Sequence, residues 1–396
     1  MISMPAREAE ILIQEYQSCT LQELRERYEY PLEAYSPLAR LLLRIPDKSI
    51  NNTGRRLILE CSAANDPLAT LIILGSLRRK DGWAREIPKA EILHARQHLK
   101  ALAHQESSPD AMVLVGLDLR AQNRDKEARV LFESALRKVS AGEMLDVNSG
   151  VTGDKLQFKV DQVRGHDLLP IPAPWIALGK LLLEKGDLEA AKAVLHDGAL
   201  KADDPMAYFY LAECGEMYSD EWLEYMTKAA ASGHPDAMFH MGNFYAQSKQ
   251  QAKESVGPTG YHHLKGLDAY RSWKAGPGWL RSLPGLPKDL ALSGREAMAV
   301  EWYLLAFEDA HRPAAVALAQ ILRRKSAWWA AAEALRDVLA NRWDMFDVDE
   351  GGPQAKREAI ALSRIWMAEE KEQGLTFTKD VVDDAKKGVS RPPPEG

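Results

Sequence analysis

Residues 225–245, YMTKAAASGHPDAMFHMGNFY, align without a gap on residues 302–322, WYLLAFEDAHRPAAVALAQIL, at an offset of 77. Tyr225 meets Trp302, Ala229 meets Ala306 and His234 meets His311; Ala237 meets Ala314, Met241 meets Leu318 and Gly242 meets Ala319. Each piece reads as the end of one helix, a tight turn and the start of the next. Proline sits at the helix start, where its missing N–H costs nothing and its fixed φ suits the first turn. Small residues let two helix backbones approach, and bulky residues one turn away fill the groove beside them.

The same signature recurs along the chain. Pro67 precedes Leu74 and Gly75, Pro109 precedes Val115 and Gly116, Pro174 precedes Leu178 and Gly179, and Pro205 precedes Leu211 and Ala212. Asp66, Ser108 and Asp204 stand immediately before their prolines, as helix N-caps do. Second helices follow in most units, with apolar residues at three- and four-residue steps, as in Ala190, Ala193, Val194 and Leu200. None of these helices can bury its apolar face alone, so neighbouring hairpins must stack.

Two stretches, KAAASGHPDAMFHMGNFY and GLPKDL with AMAVEWYLLAF, resemble Sel-1-like repeats, relatives of the tetratricopeptide repeat. WIALGKLLLEKGDLEAAKAVLHDGAL resembles a tetratricopeptide unit. The clear matches cover about residues 205–325, and weaker ones reach back to about residue 60. The chain departs from the family pattern at Phe307, which replaces the second Ala, at Ala310, which replaces the Gly, and at Ala319, which replaces the helix glycine. No consensus binding residue is therefore carried over. The resemblance implies an adaptor or scaffold role.

The small residues at 75, 116, 179, 212, 242 and 319 serve as a ruler. Regular steps are 41, 33 and 30 residues, and two steps, 63 and 77, each hold one repeat plus an insertion. The first insertion, 141–172, follows a second helix, and LQFKVDQV within it alternates like a short strand. The second, 248–293, lies between a first and a second helix, so the two leave from opposite ends of the helices. Residues 248–288 carry seven Lys or Arg against two acids, together with Tyr261, Tyr270, Trp273 and Trp279. Basic and aromatic residues on a long loop suit a binding element; equally, the aromatics can pin the loop to the repeats.

A net charge of −6 argues against nucleic acid as the main partner. Cys19, Cys61 and Cys214 are too few and too far apart for a disulfide framework or a cysteine zinc site, which suits a reducing compartment. No apolar run reaches the roughly 18 residues of a membrane span. Glu8, Glu10 and Glu15 break both a secretory and a transit-peptide pattern, so the expected location is the cytoplasm, or a mitochondrion if translation starts upstream. His94 and His98 share a helix face but lack a third ligand, and His262 and His263 lack carboxylates. Asp347, Asp349 and Glu350 lack calcium-loop spacing. No phosphate loop, dinucleotide fingerprint or nucleophile elbow is present.

These readings predict an all-α, right-handed α-solenoid of about six stacked antiparallel helix hairpins with two long inserted loops. The expected parts are an N-terminal helical cap (1–60), helical repeats (61–140), an inserted loop (141–172) and further repeats (173–325) containing the basic-aromatic loop 248–293. A C-terminal helical cap (326–375) and a disordered tail (376–396) complete the chain. The predicted function is a non-catalytic scaffold, without cofactor or metal, that holds a protein or peptide in a concave groove. The alternative is an organelle assembly or RNA-associated factor acting through the 248–293 loop. Candidate contacts are Tyr208, Glu213, His240, Asn243 and Gln320 on first helices, with Lys265, Arg271, Trp273, Lys274 and Trp279 on the loop.

Overall fold

Several first helices start with a side-chain acceptor followed by proline, at Asp66-Pro67, Ser108-Pro109, Asp204-Pro205 and His234-Pro235, and the structure, a computed structural model, shows both at work. It describes residues 6–44, 47–78, 82–105, 108–140, 171–247, 249–268, 292–309, 311–340 and 352–387. These are helical apart from turns and short 3-10 segments, and they fall into two compact units, Met1–Asp203 and Asp204–Gly396.

The first unit holds α1 (Ala6–Tyr16), α2 (Leu21–Tyr28), α3 (Tyr35–Arg44), α4 (Lys48–Ala63), α5 (Pro67–Arg78), α6 (Lys89–His104), α7 (Pro109–Ala121), α8 (Asp125–Ser140), α9 (Pro174–Glu184) and α10 (Leu188–Ala202). Hairpins α3/α4, α5/α6, α7/α8 and α9/α10 pack in series. The second unit holds α11 (Pro205–Glu213), α12 (Asp220–Ala231), α13 (Pro235–Ala246), α14 (Lys249–Ser255), α15 (Pro258–Asp268), α16 (Gly294–Glu308), α17 (Arg312–Arg324), α18 (Trp328–Leu339), α19 (Gly352–Glu372) and α20 (Phe377–Lys387). Its hairpins are α11/α12, α13/α16, α17/α18 and α19/α20. Adjacent helices packing in series make this an all-α helical-repeat architecture.

The predicted caps are present. Asp66 Oδ1 accepts from the Ala69 N–H at 2.7 Å, Ser108 Oγ from Ala111 at 3.1 Å and Asp204 Oδ1 from Met206 at 2.9 Å. Thr20 and Glu23 form the predicted capping box, and Ser293 and Glu296 form a second one at the start of α16. Gly233, at φ 91°, takes the left-handed conformation that ends α12 and leads into the His-Pro start of α13.

The small residues sit under bulky partners from the second helix. A Cβ on Gly116 would strike the Phe132 ring, one on Gly179 would lie 2.7 Å from Leu195 Cδ2, and one on Gly242 would strike the Tyr303 ring. The Gly242 contact is the informative one. It joins α13 to α16 across the second insertion, so these two helices form one hairpin although residues 247–293 separate them in sequence.

Several expectations are corrected. The start of the second insertion is helical: α14 and α15 occupy positions read as loop, and the Thr259 N–H donates to Asp220 Oδ1 at 3.1 Å, tying α15 to α12. Helix α18 pairs with α17, and α19 pairs with α20, which also packs on α18. Residues 377–387, read as tail, form α20. Charge hid this helix: Glu370, fully buried, accepts from the Thr378 N–H at 2.7 Å, from Thr378 Oγ1 at 2.6 Å and from Arg323 Nη1 at 2.5 Å. At the N-terminal end, α3/α4 packs as a hairpin, with Gly54 against Leu42, and α4 runs beyond the expected boundary at 60. The strand expected at 156–163, the acidic residues Asp347, Asp349 and Glu350, and residues 388–396 lie outside the described residues.

Introducing one methyl group at Gly242 forces the Tyr303 ring aside. Gly242→Ala is expected to lower stability by about 1–3 kcal/mol in urea unfolding. A double-mutant cycle with Tyr303→Leu should show less than additive loss, whereas strict additivity would mean that the two residues do not share the contact.

Candidate functional site

In the aligned pair of repeats, histidine occupies the slot that Asp or Ser fills elsewhere. His234 and His311 are 5% and 4% exposed, and each caps a helix. His234 Nδ1 accepts from the Ala237 N–H at 3.3 Å, and His311 Nδ1 accepts from the Ala314 N–H at 3.1 Å. A ring nitrogen that accepts leaves the proton on the other one. His311 Nε2 therefore donates to Asp236 Oδ1 at 3.1 Å, which joins the N-terminus of α17 to the first turn of α13.

Aromatic rings gather around this polar core. Phe209 of α11 stacks on His234, with centroids 4.5 Å apart and planes at 13°. Phe239 of α13 packs against His311 at 5.0 Å. Between the two phenyl rings sits His240, 5.9 Å from Phe209 and 5.8 Å from Phe239. First helices of three successive hairpins, α11, α13 and α17, thus meet through side chains.

Burial pushes the His240 imidazole below its ordinary value, and His311 adds to this, against the opposing charges of Glu213 and Asp236. For Asp236, burial raises the carboxyl, but the His311 hydrogen bond and the charges of His311, His234 and His240 outweigh it and hold it below the usual carboxylate value. The Asp236 side chain remains 39% exposed. Around neutral pH the cluster carries carboxylate charge beside aromatic faces.

The predicted contacts fare unevenly. His240 is half-buried at the centre of the cluster, and Glu213 lies exposed at the end of α11, within electrostatic reach of His240. Tyr208 is not an exposed contact. It is 6% exposed, stacked on Tyr225 at 6.1 Å inside the α11/α12 hairpin, because its position faces the partner helix. Asn243 Oδ1 accepts from the Tyr303 hydroxyl at 2.7 Å, and Gln320 Nε2 donates to Glu358 Oε1 at 2.8 Å, so both are engaged by neighbouring helices. Lys265 is exposed on α15, while Arg271, Trp273, Lys274 and Trp279 lie outside the described residues. Sequence reading passed over Phe209, Asp236 and Phe239. The available signal was the matched register of His234 and His311 in a cap position.

His98 Nδ1 lies 2.8 Å from Thr70 Oγ1, a contact between α5 and α6, and His263 Nε2 lies 3.0 Å from the Tyr245 hydroxyl. Among the described residues no group of three or more His, Cys, Asp or Glu is placed to hold a metal ion. Among them, too, no single helix is long and apolar enough to cross a membrane; α4 and α5 pass together by length and composition only, bent by 118° at their junction.

No family model and no curated protein matches the chain. Among solved structures, the crystal structure of a Sel1 repeat protein from Oxalobacter formigenes is similar over 82% of this chain and 89% of that one, at 19% identity and a TM-score of 0.32. At that score the likeness adds nothing to the functional reading, and the repeat architecture stands on the hairpins described above.

Two outcomes test the cluster. Replacing His311 by Ala removes a helix cap and should cost about 1–2 kcal/mol, with His311→Asn losing less because Asn can cap. A His whose folded value is depressed binds its proton more readily unfolded, so its stabilisation is complete above the ordinary value of 6.5 and is lost as pH falls below it. Unfolding free energy should therefore drop more steeply between pH 7 and pH 5 in the native protein than in His240→Gln. Equal slopes would show that His240 does not contribute.

Proposed function

We propose that the protein is a non-catalytic interaction scaffold that holds a protein or peptide segment along the first helices of its second unit. One observation carries this reading: those helices are linked in sequence by their own side chains. Phe209 reaches His234 and His240, Asp236 and Phe239 reach His311, and Gln320 reaches Glu358. A row of helices joined in this way offers one extended surface with residues from successive repeats, which is how stacked hairpins engage an elongated partner. Cys19, Cys61 and Cys214 form no disulfide, which suits a reducing compartment such as the cytoplasm, and burial pushes Cys61 up to about 12, which leaves it unreactive. The reading of an RNA-associated or organelle assembly factor rests on the 248–293 loop, of which Arg271, Trp273, Lys274 and Trp279 lie outside the described residues and Lys265 is exposed on α15.

A photo-crosslinking residue at Glu213, on a first helix, should capture a polypeptide in cells. The same residue at Glu224, exposed on the second helix α12, should not. Capture from both positions alike, or none from Glu213, would overturn the assignment of the face.

A further inference from the structure

We infer that the cluster around His240 is the docking point for an arginine side chain of a partner peptide, its guanidinium laid against the rings of Phe209, His240 and Phe239 and paired with the carboxylates of Glu213 and Asp236. This rests on the scaffold reading and gives it a chemistry.

Three independent features converge there. Phe209, Phe239 and His240 are each half-buried and pack ring against ring, with His240 5.9 Å from Phe209 and 5.8 Å from Phe239. Two carboxylates lie within electrostatic reach of the central ring: Glu213, at the end of α11, and Asp236, one turn before His240 on α13 and anchored by the His311 hydrogen bond. Glu213 is also the last residue of α11, where the outward-pointing carbonyls of a helix end favour a cation. Aromatic faces attract cations through their quadrupole, and a carboxylate beside them completes the pair. Anionic ligands such as phosphate or an acidic peptide meet repulsion from the same two carboxylates.

Arginine fits this geometry better than lysine. Its guanidinium is planar, stacks on rings, and forks to a carboxylate through two parallel N–H groups; an ammonium is a strongly hydrated point charge that does neither. The charged groups acting on His240 are Glu213 and Asp236, which favour a cation, and His311, which donates to Asp236 and so keeps that carboxylate in place.

The test uses the full chain and displayed random dodecapeptides. Recovered peptides are expected to share an arginine. Exchange of that arginine for neutral citrulline, or Glu213→Gln in the protein, should weaken binding roughly tenfold to a hundredfold, the range of a charge-assisted hydrogen bond. Glu213 is exposed, so its substitution leaves the fold intact; Phe209→Leu should weaken the same peptides, and Glu224→Gln should leave them unchanged. Recovery of no peptide, or of peptides indifferent to citrulline, overturns the proposal. Peptides lacking arginine whose binding is still lost in Phe209→Leu would sink this inference while leaving the scaffold reading in place. Peptides indifferent to both Phe209→Leu and Glu213→Gln would remove both.

Discussion

Everything in this structure depends on how closely the two helices of a hairpin can approach. Where Gly116, Gly179 and Gly242 face Phe132, Leu195 and Tyr303, the absence of a side chain on one helix is the space occupied by a large side chain on the other. Such a contact removes a large apolar side chain from water and fixes the register of the pair, because the bulky residue fits only above the small one. Trp175 over Gly198 uses the same device with the roles of the two helices exchanged. In α13/α16 the fit is specific enough to pair two helices across a long insertion, and the Tyr303 hydroxyl reinforces it by donating to Asn243.

Close packing also creates the polar cluster. A helix start buried between hairpins needs an acceptor for its first N–H groups. Asp66 fills that role with its carboxyl raised by burial and partly relieved by Ser36. Histidine fills it at two later positions and brings a second nitrogen with it. That spare nitrogen on His311 reaches Asp236, while the His234 imidazole stacks on Phe209 and the His311 imidazole packs tilted against Phe239. A requirement of folding thus leaves carboxylates and aromatic rings together on the row of first helices.

The end of the described chain shows the opposite balance, in which charge is used for cohesion. Arg323 lies over the Trp328 ring at 4.5 Å and the Trp366 ring at 5.0 Å, and it pairs with Glu369 and buried Glu370. Buried charge of this kind is stabilising only when every partner is in place, and Thr378 supplies the remaining donors. The final hairpin therefore closes on α17 and α18 through an ion-pair network as well as through apolar contact.

The fold was largely legible in the linear chain. Proline after Asp or Ser, the left-handed Gly233, and the recurrence of small residues are local signals. A helix start, a turn and a close contact each need a particular residue at one place, so composition at that place reveals them. Even the pairing of α13 with α16 followed from the 77-residue offset. What sequence did not reveal depends on neighbours distant along the chain. Tyr208 looks like a surface residue until Tyr225 covers it, and α20 looks like a charged tail until Glu370 and Arg323 meet it. The assembly of Phe209, Asp236, Phe239, His240 and His311 draws on three hairpins, and no spacing rule links their positions. The sequence by itself determined the hairpins, because helix starts, stops and close contacts are matters of one or a few adjacent residues. Only the tertiary structure decided which polar and aromatic groups share one surface, because that is set by the stacking of hairpins in space.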